Sequence, residues 1–78
     1  MSKYICWTQK TGKDKNGQTT TMTYHYAGYV DLHMFGISPI LVEKVEDAKV
    51  FNSEEALKTE LKEAHLSLNN YTIDKIED

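Results

Sequence analysis

Apolar residues along this chain follow two different periods. In residues 3–8 (Lys-Tyr-Ile-Cys-Trp-Thr) and again in residues 18–30, β-branched and aromatic side chains dominate, which predicts two long strands. The stretch between them is polar, and Asn16 followed by Gly17 is the strongest short-range hairpin signal in the chain. With those two as the central turn residues, Lys15 faces Gln18, Trp7 faces Tyr26 and Tyr4 faces Tyr29. One sheet face then carries Ile5, Trp7, Met22, Tyr24, Tyr26 and Val30, and is expected to be buried. The other carries Tyr4, Cys6, His25, Ala27 and Tyr29, and a bulge near Gly12 would exchange the two.

In the second half the period changes. Gly36 with Ser38 and Pro39 predicts a turn, and residues 40–45 (Ile-Leu-Val-Glu-Lys-Val) a third strand. Leu57, Leu61, Ala64 and Leu68 then recur at steps of four, three and four, lining one face of a helix over about residues 53–68. Asn52 or Ser53 supplies its cap, Asn52 with Glu55 has capping-box spacing, and Phe51 can staple onto Ala56 or Leu57. Glu54 and Glu55 stand where the helix dipole favours negative charge, and Asn69 with Asn70 predicts the stop. Tyr71, Ile73 and Ile76 predict a short last strand before an acidic tail. The expectation is an α+β fold: a small antiparallel sheet of three to four strands, β-β-β-α-β, packed on one helix. It forms a single domain over residues 1–78, with a β-hairpin arm projecting at about residues 9–22.

Composition narrows the setting. A 9.0 kDa chain that is 40% hydrophobic suits one folded domain. Cys6 is the single cysteine, so no internal disulfide can form, and a reducing compartment, the cytoplasm, is expected. No leader and no membrane-length apolar run is read from the sequence. Charge is divided: residues 1–42 carry four lysines against two aspartates, +2, while the remainder carries five lysines against ten acids, −5. Arginine is absent, which disfavours forked recognition of bases and phosphates.

Candidate chemistry is sparse. His25, Asp31 and His33 are the nearest approach to a ligand cluster, but their loose spacing reads as ordinary histidines, and His65 as a helix-boundary residue. Cys6 and His25 share a face without being direct partners, and glycines 12, 17, 28 and 36 make no phosphate cradle. The expectation is therefore no catalytic residue, no metal and no cofactor. The basic arm is the stronger candidate, with Lys10, Lys13, Lys15, Tyr24 and Tyr26 as partner-binding residues through lysine charge, aromatic stacking or strand pairing. An alternative is an acidic surface of Glu54, Glu55, Glu60 and Glu63 presented to a basic groove.

Asp47, Ala48, Lys49, Phe51, Ser53, Glu55 and Ala56 form a strand-to-helix segment, Asp-Ala-Lys-x-Phe-x-Ser-x-Glu-Ala. It resembles a segment found in many small uncharacterised proteins encoded by bacteriophages and prophages of gram-positive bacteria. The resemblance implies an accessory protein acting inside the host cell by binding a host or phage macromolecule. The functional expectation is a non-enzymatic protein-binding module, a modulator or inhibitor of a host protein, able to form a homodimer. Its alternative is a weak, non-specific nucleic-acid binder using the basic hairpin.

Overall fold

The computed structural model describes residues 2–77. Strand β1 (Lys3–Lys13) pairs antiparallel with β2 (Thr19–Asp31), β2 with β3 (Ile37–Val42), and β1 with β4 (Thr72–Glu77), giving the order β3-β2-β1-β4. One α-helix, α1 (Glu54–Glu63), lies over β1. The α+β class and the β-β-β-α-β order thus hold, with four strands in one antiparallel sheet.

The hairpin register differs from expectation by one residue. Asp14 rather than Lys15 faces Gln18, and the Asp14 N–H donates to the Gln18 carbonyl at 2.9 Å. Three residues make the loop, and Gly17, at φ +79°, supplies the left-handed position that closes it. Asp14 Oδ1 accepts from the amides of Asn16 and Gln18, both at 2.9 Å, so an aspartate outside the Asn-Gly pair decides the turn. Trp7 therefore pairs with His25, not Tyr26.

A one-residue slip exchanges faces on one strand of the pair. Cys6 rather than Trp7 shares the helix-side face with Tyr26, and the core cluster is Cys6, Tyr26, Phe51, Leu57 and Leu61, flanked by Tyr4, Leu66, Leu68, Tyr71 and Ile73. Of the face expected to be buried, Tyr26 is fully buried there, Met22 and Val30 are exposed, and Ile5 is buried from the opposite side. Trp7 lies across the sheet and donates its indole N–H to Asp74 Oδ2 at 2.8 Å.

Beyond Tyr26 the two long strands part. The β2–β3 register shifts between Tyr26 and Tyr29, where Gly28 adopts φ +118°. The segment preceding α1 fills the gap: Lys49 N–H donates to the Tyr26 carbonyl at 2.9 Å, and Phe51 exchanges two backbone bonds with Tyr4. Pro39, expected in a turn, stands inside β3, which an edge strand tolerates because one side of its ladder is unpaired. Val45, expected to end the third strand, belongs to a 3-10 turn, Val45–Asp47.

Ser53 caps α1, its hydroxyl accepting from the Ala56 N–H at 3.0 Å. The helix stops well before residue 68. His65 takes φ +58°, its N–H bonds the Lys62 carbonyl, and the Leu66 N–H bonds the Leu61 carbonyl. This Schellman closure turns Leu66 and Leu68 back onto the core, so their apolar spacing reports burial rather than helix. Ser53→Ala is expected to lower stability by about 1 kcal/mol, read as a shifted midpoint in urea with an unchanged slope.

Candidate functional site

The arm is where the sheet runs out of neighbours. The last β1–β4 pair is Trp7 with Thr72, and the last β2–β3 pair is His25 with Val42. Past those points β1 and β2 pair only with each other, down to Lys13 with Thr19. Residues 9–23 are exposed throughout, so the ribbon is bare on both faces and along both edges. One face carries Gln9, Thr11 and Lys13 against Thr23, Thr21 and Thr19, with the Thr11 and Thr21 hydroxyls 3.4 Å apart. The other carries Lys10 and Gly12 against Met22 and Thr20.

Lys10, Lys13 and Lys15 are all exposed along this ribbon, as a partner-binding role requires. Tyr24 sits at its base, half-buried, with its hydroxyl 3.6 Å from Met22 Sδ; Lys10, Met22 and Tyr24 together line a shallow depression of about 190 Å³. Tyr26 is a correction. Its side chain is completely buried and its ring stacks on Phe51 at 6.3 Å between centroids, so it has no surface to offer a partner.

What Tyr26 does instead is anchor the helix. Its hydroxyl donates to Glu60 Oε2 at 2.7 Å, while Lys49, 5.4 Å above the Phe51 ring, donates to Glu60 Oε1. Burial first, then the hydrogen bond and charge of Glu60, hold the Tyr26 phenol well above its ordinary value. Glu60 is thereby drawn inward, its side chain only 17% exposed, and leaves the expected acidic surface. Glu54 pairs with Lys58 at 3.7 Å, whereas Glu55 and Glu63 remain exposed on the helix. The expected surface is therefore partly engaged within the chain.

The remaining titratable groups do not converge. Cys6 is fully buried, and its thiol is pushed up to about 12, mainly by burial and then by the charge of Glu60, so it is not poised as a nucleophile. Asp31 Oδ1 accepts from the His33 N–H at 2.8 Å, and His25 Nδ1 is buried without a hydrogen-bond partner. Among the described residues, no group of three or more His, Cys, Asp or Glu is placed to hold a metal, and no helix is long and apolar enough to cross a membrane.

Residues that the sequence reading passed over stand at the far end of β2. Met34 and Phe35 are 92% and 86% exposed on the connection to β3. The signal in the sequence was an apolar pair, Met34 and Phe35, directly before Gly36. No family model, curated protein or solved structure matches this chain.

Proposed function

We propose that this chain is a small, non-enzymatic protein-binding module of phage or prophage type, a modulator or inhibitor of a host protein, whose docking element is the arm. The supporting observation is the bare ribbon itself. An isolated two-stranded hairpin is marginal in water, and ordering one costs conformational entropy. This one continues the core strands outward without burying its own surface. A partner that adds a strand to its open edge, or lies across its threonine face, supplies the missing contacts. Lys13 and Lys15 near the tip steer an acidic partner surface.

A nucleic-acid reading is favoured by one feature, the depression shared by Lys10 and Tyr24, which sets a cation beside an aromatic ring. Capture of tagged protein from bacterial lysate, with and without nuclease, separates the two. The expected outcome is a saturable protein partner that survives nuclease and is depleted about tenfold by Lys13→Glu with Lys15→Glu. Recovery of nucleic acid alone, abolished by nuclease and by the same charge reversal, would replace the protein reading with the nucleic-acid one.

A further inference from the structure

The connection between β2 and β3 is built firmly around two unburied side chains. The Leu32 N–H donates to the Gly36 carbonyl at 2.7 Å, Phe35 N–H to the Leu32 carbonyl at 3.2 Å, and Gly36 N–H to the His33 carbonyl at 3.1 Å. Asp31 Oδ1 braces the His33 amide, and His33 itself holds φ +56°, a conformation that disfavours residues other than glycine. This frame displays Met34, Phe35 and part of Leu32 to solvent. Single exposed apolar residues are ordinary; three on one short, hydrogen-bonded tip form a patch that marks an interaction site.

The same chain contains a complementary seat. Toward β3, beyond the cover of α1, the sheet is left open as a cavity of about 540 Å³ lined by Pro39, Leu41, Leu66 and Tyr71 among polar residues such as Ser67 and Asn70, with Lys10 on its rim. That volume lies within the roughly 300–1,000 Å³ of pockets that take up compact ligands. Its apolar members, Pro39, Leu41, Leu66 and Tyr71, match the Met34 and Phe35 side chains, its polar rim suits the hydrogen-bonded backbone of the tip, and the Lys10 cation matches the Asp31 carboxylate at the base of the tip. Both halves of one contact are thus present on a single molecule.

We infer that two copies of this chain form a closed two-fold pair, the tip of each seated in the cavity of the other, with Asp31 of each copy facing Lys10 of its mate. Two-fold closure makes the contact twice, which is how a self-complementary surface reaches stable size. A chain below about 80 residues has little core of its own and gains from a second copy. A lipid surface fits less well: the charge at the base of the tip is Asp31, and the arm lysines lie toward the other end of β2, so no basic collar surrounds the apolar residues.

Sedimentation velocity across micromolar to millimolar concentrations of the full chain tests the pair. Doubling of mass is expected for the wild type, with association weakened about a hundredfold by Met34→Ser with Phe35→Ser, and equally by Ser67→Trp, which fills the cavity from its exposed rim. Mixing these two variants restores a heterodimer, because one intact tip still meets one intact cavity. Lys13→Glu with Lys15→Glu leaves the pair unchanged. Unaltered thermal melting of dilute tip and rim variants shows that they fold. A wild type that stays monomeric throughout, a dimer indifferent to both variants, or failure of the mixture to pair overturns the inference; a monomer whose Phe35-dependent binding is to anionic vesicles overturns it in favour of lipid.

Discussion

Leu61→Ala is expected to leave the protein largely unfolded at room temperature. Leu61 is completely buried in the cluster with Cys6, Tyr26, Phe51 and Leu57, and its carbonyl accepts the Leu66 amide that closes the helix. Removing the outer carbons of a buried leucine costs about 2–5 kcal/mol, the transfer loss plus the cavity left behind. A core of this size supplies only about 3–5 kcal/mol in total, so one truncation consumes most of it. Far-ultraviolet circular dichroism with urea titration reads the result. Ile76→Ala, on a half-exposed side chain of β4, should shift the midpoint very little. A cooperative Leu61→Ala transition near the wild-type midpoint would mean that this cluster is not the stabilising core.

Alkaline pH is expected to unfold the protein well before it disturbs the backbone chemically. Cys6, Tyr26 and Tyr71 all have pKa values raised in the folded state, in each case first by burial. A raised pKa means that the folded state keeps a proton that the unfolded chain releases. The contribution is complete below the unfolded value and is lost as pH climbs toward the folded one. For Cys6 the window opens near 9.0 and extends to about 12; for the two tyrosines it opens near 10.0. Each fully buried group removes about 1.4 kcal/mol per pH unit inside its window, so Cys6 and Tyr26 together remove about 4 kcal/mol by about pH 11, comparable with the whole stability. Circular dichroism against pH should show a cooperative loss between about pH 10 and 11, preceded by slow reaction of native Cys6 with a thiol reagent. Cys6→Ala should delete the earliest part of the slope. A stability flat from pH 9 to 11 would mean that these groups are open to water.

The strand-to-helix stretch was legible because its cues are local. Ser53 accepts the Ala56 amide within one turn, and Leu57 and Leu61 repeat on one helix face, so neighbours in sequence carry the information. The far end of the same helix was misread for an equally physical reason. Leu66 and Leu68 continue the apolar rhythm, yet His65 turns left-handed and sends them to the core by another route. Histidine carries no strong stop signal, unlike the glycine that usually takes this position. In the hairpin, Asn16 and Gly17 marked the turn correctly but not its length, which Asp14 decides by accepting two amides.

The candidate site divides along the same line. Exposure of Lys10, Lys13 and Lys15 follows from a polar run between two strands, and is readable from residue type. Loss of Tyr26 from the surface, and withdrawal of Glu60 from the helix exterior, depend on each other across the fold and on Lys49 arriving beside both. Neither residue has a distinctive sequence context, since tyrosine suits a strand and glutamate suits a helix whether exposed or buried. Periodicity and capping chemistry alone determined an α+β chain with one amphipathic helix and a projecting polar hairpin, because these features arise between residues close in sequence. Only the tertiary structure decided which strand face meets the helix, how segment 49–51 enters the gap between β1 and β2, and that Met34 and Phe35 stay uncovered, because each depends on groups brought together by folding from distant parts of the chain.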